Sequence, residues 1–186
     1  MSTRMILTIF RLLLEFRDGG YYNMRGTEAS AFNSPIDALF ALAKAEYPKI
    51  RSVSVGDGGN EIGLGNIYPL ISKYVPKGEL IGTRVQCDFL ITAGVSNWGG
   101  YAIAAALYLQ GVAFNKSAEQ DKHIPQDKLA KLLPSVEVEK EIMDVMLANG
   151  AVDGPTCEAT RKVDSFDMEF HDKVISSILE ILHPVR

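Results

Sequence analysis

Apolar positions fall into short blocks divided by turn-forming residues, and the blocks alternate between two periods. Residues 50–55 alternate apolar and polar side chains, which predicts a strand. Residues 89–93 form a continuous apolar run, which predicts a buried strand. Residues 101–109 are Ala-rich and apolar all round, which suits a buried helix. Residues 80–85 alternate as a further strand, close enough to the 88–93 run for a hairpin or a bent strand. Asn33 or Ser34 can cap a helix with Pro35 and Asp37 in its first turn and a stripe of Ile36, Leu39, Phe40 and Ala43, ending before Pro48. Asn66 is placed to cap a short helix through Tyr74. Ser135 is placed to cap one through Asn149, with Val138, Ile142, Val145 and Met146 facing inward and Gly150 as its stop. Residues 160–163 read as a short edge strand. Residues 167–182 read as an amphipathic helix carrying Phe170, Val174, Ile178 and Ile181. Residues 110–132 read as a mobile surface loop. The interleaving of strand and helix gives an α/β class.

Two strand–loop–helix units carry the chemistry. After the first strand comes Gly56-Asp57-Gly58-Gly59-Asn60-Glu61-Ile62-Gly63-Leu64-Gly65-Asn66. Its glycines allow a sharp bend and close approach of backbone to a ligand. Asp57, Asn60 and Glu61 place oxygens in that bare loop, and a helical turn opening near Gly58 would add free N–H groups. The spacing fits neither Gly-x-Gly-x-x-Gly nor the Gly-Lys-Ser/Thr of a P-loop, and two acids would repel a polyphosphate. A helix-capping turn is the plain alternative. The second unit continues from residues 89–93 into Gly94-Val95-Ser96-Asn97-Trp98-Gly99-Gly100. In an open α/β sheet both loops leave the carboxyl ends of their strands, where ligands bind.

These two loops resemble the D-glutamate cyclase C-terminal domain family. The resemblance extends to Asp18-Gly19-Gly20-Tyr21-Tyr22-Asn23-Met24-Arg25-Gly26, to Ser34 through Phe40, to Gly150-Ala151-Val152-Asp153-Gly154, and to Val163-Asp164 through His171. It implies a three-layer Rossmann-like sheet with helices on both faces, here as an incomplete domain. It implies one domain over residues 1–186, with an irregular start over 1–17. Departures are Asn66 where the family usually has Lys, Ser165-Phe166-Asp167 where it has Gly-Leu-Pro, and the segment from Arg11 to Arg17. The implied activity is conversion of D-glutamate to 5-oxo-D-proline and water with a divalent metal, Mn²⁺ or Mg²⁺. A catalytically inactive fragment or ligand-binding remnant is the alternative. The implied location is the mitochondrial matrix, with the cytoplasm as alternative.

That reaction needs the substrate ammonium to lose protons, the γ-carboxylate to become electrophilic and an oxygen to leave as water. Hard oxygen ligands suit Mn²⁺ or Mg²⁺, so Asp57 and Glu61 are the expected metal ligands, and either could take the amine proton. Asn97 is the expected oxyanion donor. Asn60, Ser96, Asn23, Arg25, Asp153 and His171 are the expected substrate contacts, Arg25 by pairing with a carboxylate. Each has a structural alternative: a turn, a cap or a packed side chain.

Composition narrows the field further. A hydrophobic share of 47% supports a packed core and argues against disorder. A net charge of −4 gives no electrostatic case for nucleic acid. Cys87 and Cys157 are expected as reduced thiols. Residues 5–16 are apolar but interrupted by Arg11 and too short to span a bilayer. They read as a first strand, with a basic presequence as the competing interpretation. The expected partner is a small-molecule substrate, with no nucleic acid and no membrane. A homo-oligomer or a missing N-terminal half would cover apolar surface left exposed around residues 5–14.

Overall fold

The computed structural model describes residues 15–16 and 20–183. The readings made on residues 5–14 lie outside them. The chain is α/β and divides into two compact units, residues 1–99 and 100–186.

In the first unit, β1 (Glu15–Phe16) and β2 (Gly20–Tyr21) pair antiparallel. A Gly26-containing turn (φ 73°) follows, and then α1 (Ile36–Glu46). Neither Asn33 nor Ser34 caps α1; Pro35 holds the cap position without a side-chain bond. The buried member of its first turn is Asp37, which accepts a 2.5 Å hydrogen bond from Tyr21 Oη. Leu39 is exposed, so the predicted stripe is only partly covered. β3 (Val53–Gly56) and β4 (Phe89–Thr92) form a parallel pair, Val53 opposite Phe89 and Gly56 opposite Thr92. Among the described residues this sheet has two strands. β4 is half open to solvent, with Phe89 exposed, where the apolar run predicts burial.

Residues 80–85 are not a strand. They span the end of a short helix, α3 (Gly78–Ile81), which follows α2 (Tyr68–Tyr74), and an extended stretch that bonds Gly63 and Gly65 N–H through Val85 O. Alternation over so few residues does not separate a strand from a one-turn helix whose Ile81 is buried and Leu80 exposed. Asn66 caps nothing: it lies in a 3₁₀ turn (Gly65–Ile67), and its amide brackets Cys87, accepting from Cys87 N–H and donating to Cys87 O at 3.0 Å each. α4 (Ser96–Ser117) opens in this unit. Its start closes on β3 because Gly99 has no side chain; a Cβ there would sit 2.5 Å from a Val55 methyl.

In the second unit α4 continues to Ser117, with Tyr101, Ile103, Ala105 and Tyr108 buried and Ala102, Ala106 and Leu109 outside, so it is not covered all round. The segment expected as a mobile loop contains α5 (Gln126–Ala130). Leu129 of α5 joins Ala105, Tyr108 and Leu182 in the core. α6 (Val136–Ala148) is capped by Ser135 Oγ, which accepts from Val138 N–H, as its sequence predicts. Its buried residue is Met143, whereas Val138, Ile142, Val145 and Met146 face solvent, the reverse of the expected orientation. A tight turn at Asp164 and Ser165 joins β5 (Lys162–Val163) to β6 (Phe166–Asp167). α7 (Met168–Leu182) buries Met168, His171, Ile175 and Leu182, and leaves Phe170 and Ile181 outside.

Candidate functional site

Parallel register sends the loops after β3 and β4 out of the same sheet edge, and the two meet there. Asp57 Oδ2 accepts from Ser96 N–H at 2.6 Å and from Ser96 Oγ at 2.5 Å. A carboxylate from one loop thus holds the first turn of the helix that follows the other, where the helix dipole favours negative charge. Ser96 is buried and committed to this contact. Asn97, one residue on and half-buried, has a side-chain amide with no hydrogen bond to the described residues.

No helix opens at Gly58. The backbone instead curls into a nest, with Gly59 at φ 122°, a value that favours glycine. The N–H groups expected to face a ligand face Glu61. Its Oε1 accepts from Asp57 N–H (3.2 Å) and Gly58 N–H (3.0 Å), and its Oε2 from Gly59 N–H (2.9 Å). The signal for this was present in the sequence: an acid two residues after a Gly-Gly pair can fold back onto the amides before it. Glu61 is buried. Burial raises its pKa first, helped by a hydrogen bond to and repulsion from Asp57; the Gly59 and Gly58 amides oppose the shift.

Asn60 is also buried, and its amide donates to Tyr22 O at 2.9 Å, tying the loop to the turn before it. Met24 of that turn lies against Gly58, where a Cβ would come within 2.7 Å of its sulfur. Asn23 shapes the turn, accepting from Arg25 N–H and Thr27 N–H. Arg25 is exposed, and its carbonyl accepts from Lys77 Nζ. Asn60 and Asn23 are therefore spent on local structure. Below the loop, Ile62 packs with Tyr21.

Asp153 and His171 belong to the second unit, and both are buried there. Asp153 accepts from Thr156 N–H (3.1 Å), Thr156 Oγ1 (2.7 Å) and Ser165 N–H (3.3 Å). Burial works to raise its pKa, but these bonds outweigh it and the net shift is downward.

Lone-pair counting tests the site against a divalent cation. Asp57 Oδ2 and Glu61 Oε1 each accept two backbone or hydroxyl bonds and Glu61 Oε2 accepts one, so the capacity left for a cation is that of Asp57 Oδ1 and Glu61 Oε2, the oxygens also open to the contact between the two carboxyls. Two neighbouring carboxylates, of which Asp57 raises the proton affinity of Glu61, suit a shared cation. Among the described residues no third His, Cys, Asp or Glu completes a cluster, and Mg²⁺-like ions are often held by one or two carboxylates plus water and substrate oxygens. The residues present fit such an ion.

The sequence profile of the D-glutamate cyclase-like C-terminal family matches residues 10–179. The human protein "D-glutamate cyclase, mitochondrial" is 34% identical over 171 residues, which cover 88% of this chain and 28% of that relative. A profile match over most of the chain, together with the two loops in register, makes this chain a member of the D-glutamate cyclase-like C-terminal family.

Proposed function

We propose that the chain carries the site of a lyase that cyclises D-glutamate to 5-oxo-D-proline with loss of water, in a three-layer Rossmann-like setting built on the parallel pair of β3 and β4 and in the mitochondrial location that its human relative's name suggests. The observation that carries this reading is the junction of the two loops: a carboxylate fixed by Ser96 beside the unengaged amide of Asn97. Asp57 and Glu61 would hold a divalent ion, Mn²⁺ or Mg²⁺, which supplies charge neutralisation for a carboxylate under attack.

In the reaction the substrate nitrogen forms a bond to its own γ-carbon, and one γ-oxygen leaves. The ammonium gives up two protons, and the departing oxygen takes two and becomes water. Whichever carboxylate oxygen of Asp57 or Glu61 the ion leaves free takes a proton from the ammonium as the amine attacks. The Asn97 amide donates to the oxygen that becomes negative in the tetrahedral state. Ser96 positions Asp57, and Asn60 holds the loop against Tyr22. Arg25 remains a proposed substrate contact, through a carboxylate.

Purified chain incubated with D-glutamate and Mn²⁺ is expected to form 5-oxoproline. Wild-type chain that stays folded, binds Mn²⁺ and forms none under these conditions would establish the inactive-remnant alternative.

A further inference from the structure

α6 has apolar residues on two faces. Met143 and half-buried Val136 and Leu147 face the interior of the unit. Val138, Ile142, Val145 and Met146, spaced i, i+4, i+7 and i+8, form a second stripe on the opposite side. Their exposures are 51, 46, 63 and 47%, so this stripe is open along its length. A helix with apolar residues on both sides is normally covered on both.

The margins of the open stripe are acidic. Glu137, Glu141 and Asp144 run along one side and Glu139 along the other. The one cation of α6, Lys140, points away and pairs with Asp172 of α7 at 2.8 Å. Asp144 is neutralised by Arg161 (2.7 and 2.8 Å). Glu137, Glu139 and Glu141 form no ion pair among the described residues. Two copies of this face would bring these acids together across the seam, in a chain of net charge −4. An anionic lipid surface is repelled in the same way.

We infer that this face docks an amphipathic helix of another polypeptide, with an apolar stripe flanked by Lys or Arg. Binding of this kind lays apolar anchors at helical spacing into the stripe while flanking cations meet the acidic margins. The surface is separate in sequence and in unit from the loops described above.

The test uses the full chain and two synthetic peptides, one of Leu and Lys at amphipathic-helix spacing and one with Glu replacing every Lys. Fluorescence anisotropy is expected to show saturable one-to-one binding of the Lys peptide and none of the Glu peptide. The pair Ile142→Ser and Val145→Ser removes the apolar anchors, keeps the charge and alters exposed positions only. It should weaken binding roughly tenfold or more, with circular dichroism unchanged. Glu137→Gln with Glu141→Gln should weaken binding and flatten its salt dependence. Equal binding of both peptides, or undiminished binding by the Ser pair, would overturn the inference. So would sedimentation of the wild type as a dimer that the Ser pair converts to monomer, which would name a second copy as the occupant.

Discussion

Asn97 and Asp88 show how two polar side chains of one strand–loop–helix unit diverge. Asn97 keeps its amide unengaged at the start of α4, so its value lies in what it can donate to. Asn97→Ala is expected to leave the melting temperature within a degree or two and lower turnover about tenfold or more, measured as 5-oxoproline formed per unit time. Asp88 is saturated. It accepts from Lys44 Nζ (2.6 Å), Arg51 (3.1 Å), and Ser52 N–H and Oγ (2.7 Å each), joining α1, the entry to β3 and the start of β4. The Lys44 ammonium, then the Ser52 donors, hold its carboxyl far below the usual 3.8. A carboxyl more acidic folded than unfolded contributes stability above its ordinary pKa and loses that contribution as pH falls through and below it. Asp88→Asn should therefore melt lower than wild type at neutral pH, and the gap should close in acid. Melting curves recorded across the acid range decide this; a gap independent of pH would mean that the contacts matter only as neutral hydrogen bonds.

The turn between β5 and β6 carries local strain. Asp164 and Ser165 both have positive φ, 53° and 70°, as a two-residue hairpin turn with the right twist demands. Ser165 holds that geometry without the conformational freedom of glycine, which the sequence resemblance leads one to expect there. Ser165→Gly is expected to stabilise the chain by about 0.5–1 kcal/mol, the relief of left-handed strain less the entropy that glycine adds to the unfolded state. Chemical denaturation would read this as a higher midpoint at unchanged slope, and a lower midpoint would show that the Ser165 side chain contributes more than its backbone costs. Elements in this chain were legible wherever a boundary signal was local. Ser135 and Gly150 bracket α6, the 89–93 block holds β4, and the second half of the 50–55 block holds most of β3. Orientation was not local. The stripe at Val138, Ile142, Val145 and Met146 has good helical spacing, but spacing cannot say which of two apolar faces the rest of the unit covers. Residues 110–132 misled for a related reason: the polar surface of α4 near Lys116 masks Leu129, whose burial depends on Ala105, Tyr108 and Leu182 far away in sequence. In the loops, sequence located the acids and amides, but it could not show that Glu61 turns its carboxylate into its own backbone.

At the scale of the whole molecule, a ligand that binds only the folded chain must stabilise it by mass action. Mn²⁺ at about one hundred times its dissociation constant would add roughly 2.7 kcal/mol. For a chain of this length that corresponds to a rise in melting temperature of about 5–10 °C. Asp57→Asn should fold and show a much smaller rise, since it removes one ligand charge. This shift is independent of turnover, so an inactive chain that binds the ion still registers; equal shifts in wild type and Asp57→Asn would remove Asp57 from the metal assignment.

The bond between Asp57 and Ser96 closes a loop of 39 residues, and the Ser52–Asp88 contact just before β3 and β4 closes one of 36. Contacts of such long range cost chain entropy before they return any stabilisation, so they form late compared with α6 or α7, whose bonds are local. A nascent or partly unfolded chain therefore has helices before it has a junction of loops. The proposed site is therefore confined to molecules that have completed the parallel pairing, and a partly folded chain lacks the Asp57–Ser96 junction.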